Sequence, residues 1–183
     1  MTPTQPFLRA LSRWSYHQPT AVIAVSHYGL EQLIHMGVQP QSSQVIHNGA
    51  DPEIFYPIQD RAVAEFRKRH APAEAQVLLT VGHVSERKGQ EIVIRALPRI
   101  IQEYPMVHYW MVGMPTQQNQ LERLAKQIGV LDHIHFLGKL SQEDLRTAYN
   151  ACDLFIMTSR HSQDGQFEGY GIAAVEAALC GKA

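Results

Sequence analysis

Only two cysteines, Cys152 and Cys180, occur in 183 residues, and both stand among alanines and leucines at the ends of helical segments. That is too few for a disulfide framework, and it predicts reduced, packed thiols in a cytosolic protein. Long apolar runs are also missing. None approaches the roughly 18 residues that a spanning helix needs, and Met1-Thr-Pro-Thr-Gln-Pro6 lacks the basic and apolar regions of a signal peptide. There is no charge excess: 16 basic residues against 17 acidic ones give a net charge of −1, so no basic footprint points to nucleic acid. The longest basic run, Arg67-Lys68-Arg69, falls late in a predicted helix, where cations suit the dipole, and reads as a solvated helix end. What the chain does have is 45% hydrophobic residues, enough for a globular core and against wholesale disorder.

Short apolar runs alternate with helical patterns through most of the chain. Phe7 to Tyr16 reads as a helix with Phe7, Leu8, Leu11 and Trp14 on one face. Ala21–Val25 reads as a buried strand, Ser26 as the cap of a helix that Gly37 stops, and Val45-Ile46 as a further strand. The helix Leu30–Met36 has too little basic character for a membrane surface, so core burial is expected. His47 to Pro57 then gathers Asn-Gly, Asp-Pro and a second proline, the best place for a boundary between two structural units.

After a helix over Asp60–His70, four strand-then-helix units follow. Strands Gln76–Val81, His108–Val112, His133–Phe136 and Leu154–Met157 precede helices Gln90–Gln102, Thr116–Ile128, Ser141–Asn150 and Ile172–Leu179. Strands this short and apolar suit a parallel sheet covered by helices on both faces, a Rossmann-like open α/β fold. Such sheets bind ligands beyond the carboxyl ends of their strands. There the sequence places Gly82 to Gly89, Gly113-Met-Pro115, Leu137 to Leu140, and Thr158 onward. The helix after the last strand has no strand following it, and the segment before Pro57 reads as the end of something larger, so a piece of a longer protein is expected.

The most informative stretch is Gln163 to Gly181. Asp164 to Gly171 is a glycine-rich loop, and Ile172 to Leu179 is a helix of small apolar residues with Gly181 as its C-cap. A glycine-rich approach to a helix start presents free backbone N–H groups and the positive end of the dipole to an anion. Here Glu168 and Glu176 flank it. Carboxylates repel a bare phosphate but accept hydrogen bonds from sugar hydroxyls, so the combination describes a nucleotide sugar. Taken singly, Glu168 is an ordinary loop acid, Glu176 a helix surface charge, and Lys88 a solvated lysine before a helix. Ten histidines invite a metal, but beside His133 and His135 no Cys, Asp or Glu stands at a recognised ligand spacing. Trp14, Trp110 and the methionines read as core or interface packing.

Several blocks together resemble the retaining glycosyltransferases of family 4, which have the two-domain GT-B fold. Ala24-Val-Ser26, then Val45-Ile-His-Asn-Gly-Ala-Asp51 with Phe55 and Pro57, is similar to the passage between that family's two domains. Leu79 to Gly89 resembles its donor-phosphate motif, and His135-Phe-Leu-Gly138 and Ala151 to Ser159 resemble two further blocks. Glu168 and Glu176 have seven residues between them, as in the family's E-x7-E motif. The resemblance implies residues 1–57 as the end of an acceptor domain with the linker, and 58–183 as a donor-binding domain truncated at its C-terminus. It implies sugar transfer from a nucleoside-diphosphate donor with retention, to a glycan or lipid acceptor, without metal or other cofactor. Lys88 and Glu168 would be the catalytic residues. Gly82, His83, Lys88, Leu137, Gly138, Glu168, Gly169, Tyr170, Gly171, Ile172, Ala173 and Glu176 would hold the donor, with Glu168 on the transferred sugar and Glu176 on the ribose. A cytoplasmic protein, peripheral to the inner face of the membrane through the rest of its first domain, is implied as well.

One residue departs from the pattern. His83 stands where the family usually has arginine. Histidine lacks the planar fork that grips two phosphate oxygens and is only partly charged near neutral pH, so either the donor grip is weaker or pH-dependent, or Arg87 substitutes. Two other functional classes are a module that binds a nucleotide sugar without turnover and a GT-B-shaped nucleotide-sugar epimerase. The E-x7-E motif argues against the second.

Overall fold

The computed structural model describes residues 11, 14, 15, 20–161 and 168–182. Most of the helix expected over Phe7–Tyr16, and residues 164–167 of the glycine-rich loop, lie outside the described residues. The described residues divide into two compact units. One takes those up to Gly49 with those of His161–Ile172; the other takes Ala50–Arg160 and those from Ala173 onward.

In the first unit, β1 (Ala21–Ala24) pairs in parallel with β2 (Ser42–Val45), and α1 (His27–His35) lies between them in sequence. Ser26 starts α1 as expected: its hydroxyl accepts from the Gly29 amide at 3.0 Å. Core burial does not follow, however. α1 has no buried residue and β1 only Ala24, because a two-stranded sheet offers too little surface to cover both. Trp14 is likewise 63% exposed, so of the core or interface packing expected of it the core reading does not hold.

The second unit is a four-stranded parallel sheet of order β5-β4-β3-β6. Its strands are β3 (Gln76–Val81), β4 (Val107–Val112), β5 (Ile134–Gly138) and β6 (Leu154–Phe155). α2 (Arg61–His70) precedes β3 and is capped by the Asp60 carboxylate, which accepts from the Val63 amide at 3.0 Å. α3 (Gln90–Glu103), α4 (Gln118–Gln127), α5 (Gln142–Ala151) and α6 (Ile172–Leu179) each follow a strand. The period-2 alternation of β4 divides the core. Trp110 and Val112 face a layer with Phe66 of α2, Tyr149 of α5 and Ala173 and Ala177 of α6. Tyr109 and Met111 face Val93, Ile94 and Leu97 of α3 and Leu121 and Ala125 of α4. Helices on both faces are what the apolar strands predicted.

Three details differ from the sequence reading. His133 belongs to a 3-10 turn, Leu131–His133, so β5 starts one residue later and runs on to Gly138. β6 is only two residues long. The run Arg67-Lys68-Arg69 is not wholly a solvated helix end. The Arg67 guanidinium donates to the Ala151 carbonyl at 2.5 Å, to the Ala75 carbonyl, and to Asp153 at 2.8 Å, and Asp153 also accepts from the Val77 amide at 2.7 Å. This fork ties α2 to the starts of β3 and β6, a role that a fixed five-donor group fills and a run of like charges does not reveal.

At the amino-terminal ends of β4 and β5, three histidines meet. His108 and His135 are hydrogen-bonded ring to ring at 2.8 Å, and the His108 ring stacks on that of His133 with centroids 5.5 Å apart. Burial holds His108 and His135 below the usual histidine value of 6.5, helped at His108 by repulsion from His133 and at His135 by repulsion from His108, His70 and His133. Folded-state values lower than unfolded ones mean that the unfolded chain binds more protons in acid. The stability these groups contribute is therefore complete above about pH 6.5 and is lost as pH falls below it. Urea midpoints at pH 7 and pH 5 should differ less in a His108→Gln/His135→Gln variant than in wild type. An unchanged difference would show that the pair does not carry the acid sensitivity.

Candidate functional site

Strands β3, β4 and β5 stop side by side, and each stops in a glycine with a positive φ: Gly82 at 143°, Gly113 at 139° and Gly138 at 67°. The Gly82 amide donates to the Val112 carbonyl and the Gly113 amide to the Gly138 carbonyl, both at 2.8 Å, which locks the three ends into one ledge. Approach here is too close for side chains. A Cβ on Gly113 would lie 2.1 Å from the Gly82 carbonyl oxygen.

Lys88 lies over this ledge. A Cβ on Gly82 would meet the Lys88 side chain at 3.0 Å from Cε and 3.4 Å from Nζ. The ammonium is thus laid against the carboxyl end of β3, where an open parallel sheet receives its ligand. The structure brings together Gly82 and Lys88, two of the residues singled out from sequence, and explains the glycine between strand and lysine as the room the lysine stem occupies.

The turn that carries Lys88 is held from two sides. Glu86–Lys88 is a 3-10 turn ending at Gly89, which adopts a left-handed conformation with φ 69°. From inside, buried Gln90 donates to the His83 carbonyl at 3.2 Å and accepts from the Ser85 amide at 3.3 Å. From outside comes the strap after β6. The Thr158 hydroxyl donates to the Gly89 carbonyl at 2.8 Å, the Arg160 amide donates to the Arg87 carbonyl at 2.8 Å, and the Arg160 guanidinium reaches the Glu86 carbonyl at 3.2 Å. The sequence points to the segment from Thr158 onward as a strand end, but not to the hold that Gln90, Thr158 and Arg160 have on this turn. A glutamine opening an amphipathic helix carries no signal of its own, and the strap is brought to this turn only by the β3–β6 pairing. The His83 ring is exposed and hydrogen-bonded to the Thr116 hydroxyl.

Leu137 and Gly138 end β5. Leu137 packs against the core layer that holds Tyr149, and Gly138 closes the ledge before Ser141 caps α5, accepting from the Asp144 amide at 3.1 Å. Ala173 is buried in the same layer. Glu176, half-buried on α6, accepts a hydrogen bond from the Tyr149 hydroxyl at 2.7 Å. Burial raises its carboxyl above the usual range, partly offset by that hydrogen bond. Gly181 closes α6 with φ 74°, as expected of a C-cap.

Glu168, Gly169, Tyr170, Gly171 and Ile172 fall in the first unit. Gly169 lies against Val25, 3.9 Å from where its Cβ would stand. The Tyr170 ring stacks on that of His47 with centroids 5.4 Å apart and planes 23° from parallel, and His47 is itself hydrogen-bonded to the Val25 carbonyl at 3.0 Å. Gly171 has φ 80°, a conformation glycine takes readily, and leads directly into α6. Among the described residues, no three His, Cys, Asp or Glu side chains are grouped to hold a metal ion. No described helix is long and apolar enough to cross a membrane.

Comparison with known proteins accords with this arrangement. Residues 63–183 match the family model described as glycosyl transferases group 1, and residues 1–54 match glycosyltransferase family 4. The GDP-mannose-dependent alpha-(1-6)-phosphatidylinositol monomannoside mannosyltransferase of Mycolicibacterium smegmatis is 33% identical over 134 residues, which is 73% of this chain and 35% of that protein. The mannosylfructose-phosphate synthase of Agrobacterium fabrum is 30% identical over 175 residues, 91% of this chain and 37% of that one. Among solved structures, Anabaena Alr3699/HepE in complex with UDP-glucose superposes with a TM-score of 0.82 at 27% identity, over 96% of this chain and 47% of that one. The chain thus spans between about a third and a half of the relatives it matches. Its structural neighbours are GT-B glycosyltransferases, and the chain belongs to the glycosyl transferases group 1 family.

Proposed function

We propose that the protein transfers a sugar from a nucleoside-diphosphate donor to an acceptor hydroxyl with retention at the anomeric carbon. The observation that carries this reading is the Lys88 ammonium laid over Gly82 at the joined ends of β3, β4 and β5. A diphosphate leaving group needs positive charge placed in advance, and a fixed lysine with backbone amides can stabilise it as the glycosidic bond breaks. Lys88 faces the diphosphate. The amides of Gly169 to Ala173 offer further donors at the start of α6, and the turn at Leu137 and Gly138 lies by the base. Glu168 accepts from hydroxyls of the transferred sugar, and Glu176 from those of the ribose. The chemistry requires no metal in this scheme. His83 meets Thr116 through Nε2 and offers Nδ1 to the donor phosphates, a weaker grip than an arginine fork.

Residues 58–183 are the donor-binding domain in this reading, and 1–57 belong to the acceptor domain and linker. An enzyme that closes two domains over its substrates does not turn over with one alone, so this chain by itself binds donor without transferring it. The acceptor is a glycan or lipid, and the full-length protein works in the cytoplasm against the inner face of the membrane.

The anomeric proton coupling of the product from the full-length enzyme tests retention, and an inverted product would rule it out. Glu168→Ala in the same enzyme should reduce transfer by about 10- to 100-fold, as expected for one lost polar contact to the reacting sugar. Nucleotide binding by calorimetry should stay within about twofold of wild type. Equal loss of both would place Glu168 on the nucleotide rather than the sugar.

A further inference from the structure

Tyr149 is fully buried, and its ring is held edge-on by Phe55 and tilted against Phe155, each with centroids 5.9 Å away. The side chain has one polar atom, and water does not reach it. That hydroxyl donates to Glu176 Oε2 at 2.7 Å. A buried phenol needs an acceptor whatever else it does, and here the carboxylate of Glu176, on the neighbouring helix, supplies it. The bond also constrains Glu176. A half-buried glutamate on an exposed helix edge otherwise samples several rotamers, and a hydroxyl fixed by a rigid aromatic core selects one of them. Oε2 is then engaged from the core side, which leaves Oε1 and the second lone pair of Oε2 to accept from a ligand.

We propose that Tyr149 is a positioning residue for nucleotide binding, holding the Glu176 carboxylate in the orientation that accepts two adjacent ribose hydroxyls. The proposal rests on the assignment of Glu176 to the ribose. Donation from Tyr149 has a second consequence, because it favours the charged carboxylate against the burial that disfavours it. Other titratable groups bear on this pair among the described residues. Cys180 of its own helix lies close, Arg146 of α5 and Lys182 act on Cys180, and Cys152 acts on Tyr149. Losing the hydroxyl therefore raises the Glu176 pKa further, and ribose binding weakens at a higher pH than in wild type.

The test is calorimetric titration of the chain with whichever of UDP, GDP and ADP binds most tightly, from pH 5 to pH 8. The proteins are wild type, Tyr149→Phe, Glu176→Gln and the double variant. Near-UV circular dichroism shows which of them are folded, and Tyr149→Met replaces Tyr149→Phe if the latter is not. Tyr149→Phe should weaken binding at pH 7 by about tenfold, the scale of one hydrogen bond to a charged group, and should move the acid limb of the binding curve to higher pH. In the Glu176→Gln background the same change should weaken binding less than twofold, since effects acting through one group do not add. A folded Tyr149→Phe with wild-type affinity and an unmoved acid limb would overturn the proposal, as would additivity in the double variant. Binding that survives Glu176→Gln undiminished would instead remove the ribose assignment itself, and the role of Tyr149 with it.

Discussion

Lys88→Ala in the full-length enzyme is expected to lower turnover by about 10²- to 10³-fold, the range found when one preorganised stabiliser of developing charge is removed. The expectation comes from placement as much as charge. The lysine stem crosses a glycine at the end of β3, and the turn beneath it is fastened by Gln90, Thr158 and Arg160. Little reorganisation is then needed as the diphosphate departs. Binding of the free nucleoside diphosphate should weaken less than turnover does, because the charge on the leaving group grows as the bond breaks. Lys88→Arg should recover only part of the rate, since a planar guanidinium does not follow the path of a straight stem over Gly82. Wild-type turnover in Lys88→Ala would refute the role.

Gly89→Ala should be among the most destabilising single substitutions in the second unit, at about 3 kcal/mol or more. Its φ of 69° already disfavours a side chain, and the added Cβ would lie 2.1 Å from the Thr158 carbonyl oxygen and 3.0 Å from its carbon. Both are backbone atoms of the strap, so relief requires moving the strap and losing the hydrogen bonds that hold the Lys88 turn. Gly129→Ala separates the two contributions. Gly129 has a φ of 74° but nothing within 4 Å of the added atom, so it should cost about 1 to 2 kcal/mol, the left-handed penalty alone. Urea denaturation of both variants checks this. Equal losses would mean that the strap yields freely and does not fasten the turn.

The repeated β-then-α order and the parallel sheet are legible in the sequence because each strand is a short apolar run and each helix has a stop or cap at hand. Ser26 and Gly181 act as the caps expected of them, and Asp60 and Ser141, expected as the first residues of their helices, stand one position before them as N-caps. The glycines that end β3, β4 and β5 also stand out, though their mutual locking does not, since it depends on register between strands far apart in sequence. Burial in the first unit differs from what its apolar runs predict. Ala21–Val25 and Leu30–Met36 are apolar enough for a core, yet Ile23 is 67% and Ile34 53% exposed. Apolar periodicity states what an element can bury and not whether a partner surface is available. The residues that support the site were also hidden. Tyr149, Thr158 and Arg160 lie 27, 69 and 74 positions from their main partners, and no local spacing connects them.

The most direct test of a donor site at the carboxyl ends of this sheet is calorimetric titration of the chain with UDP, GDP and ADP, repeated on Glu176→Ala. One of the three should bind, the others at least about tenfold more weakly, and Glu176→Ala should weaken the best one by a similar factor. Failure of all three to bind a chain shown by circular dichroism to be folded would contradict a donor site there.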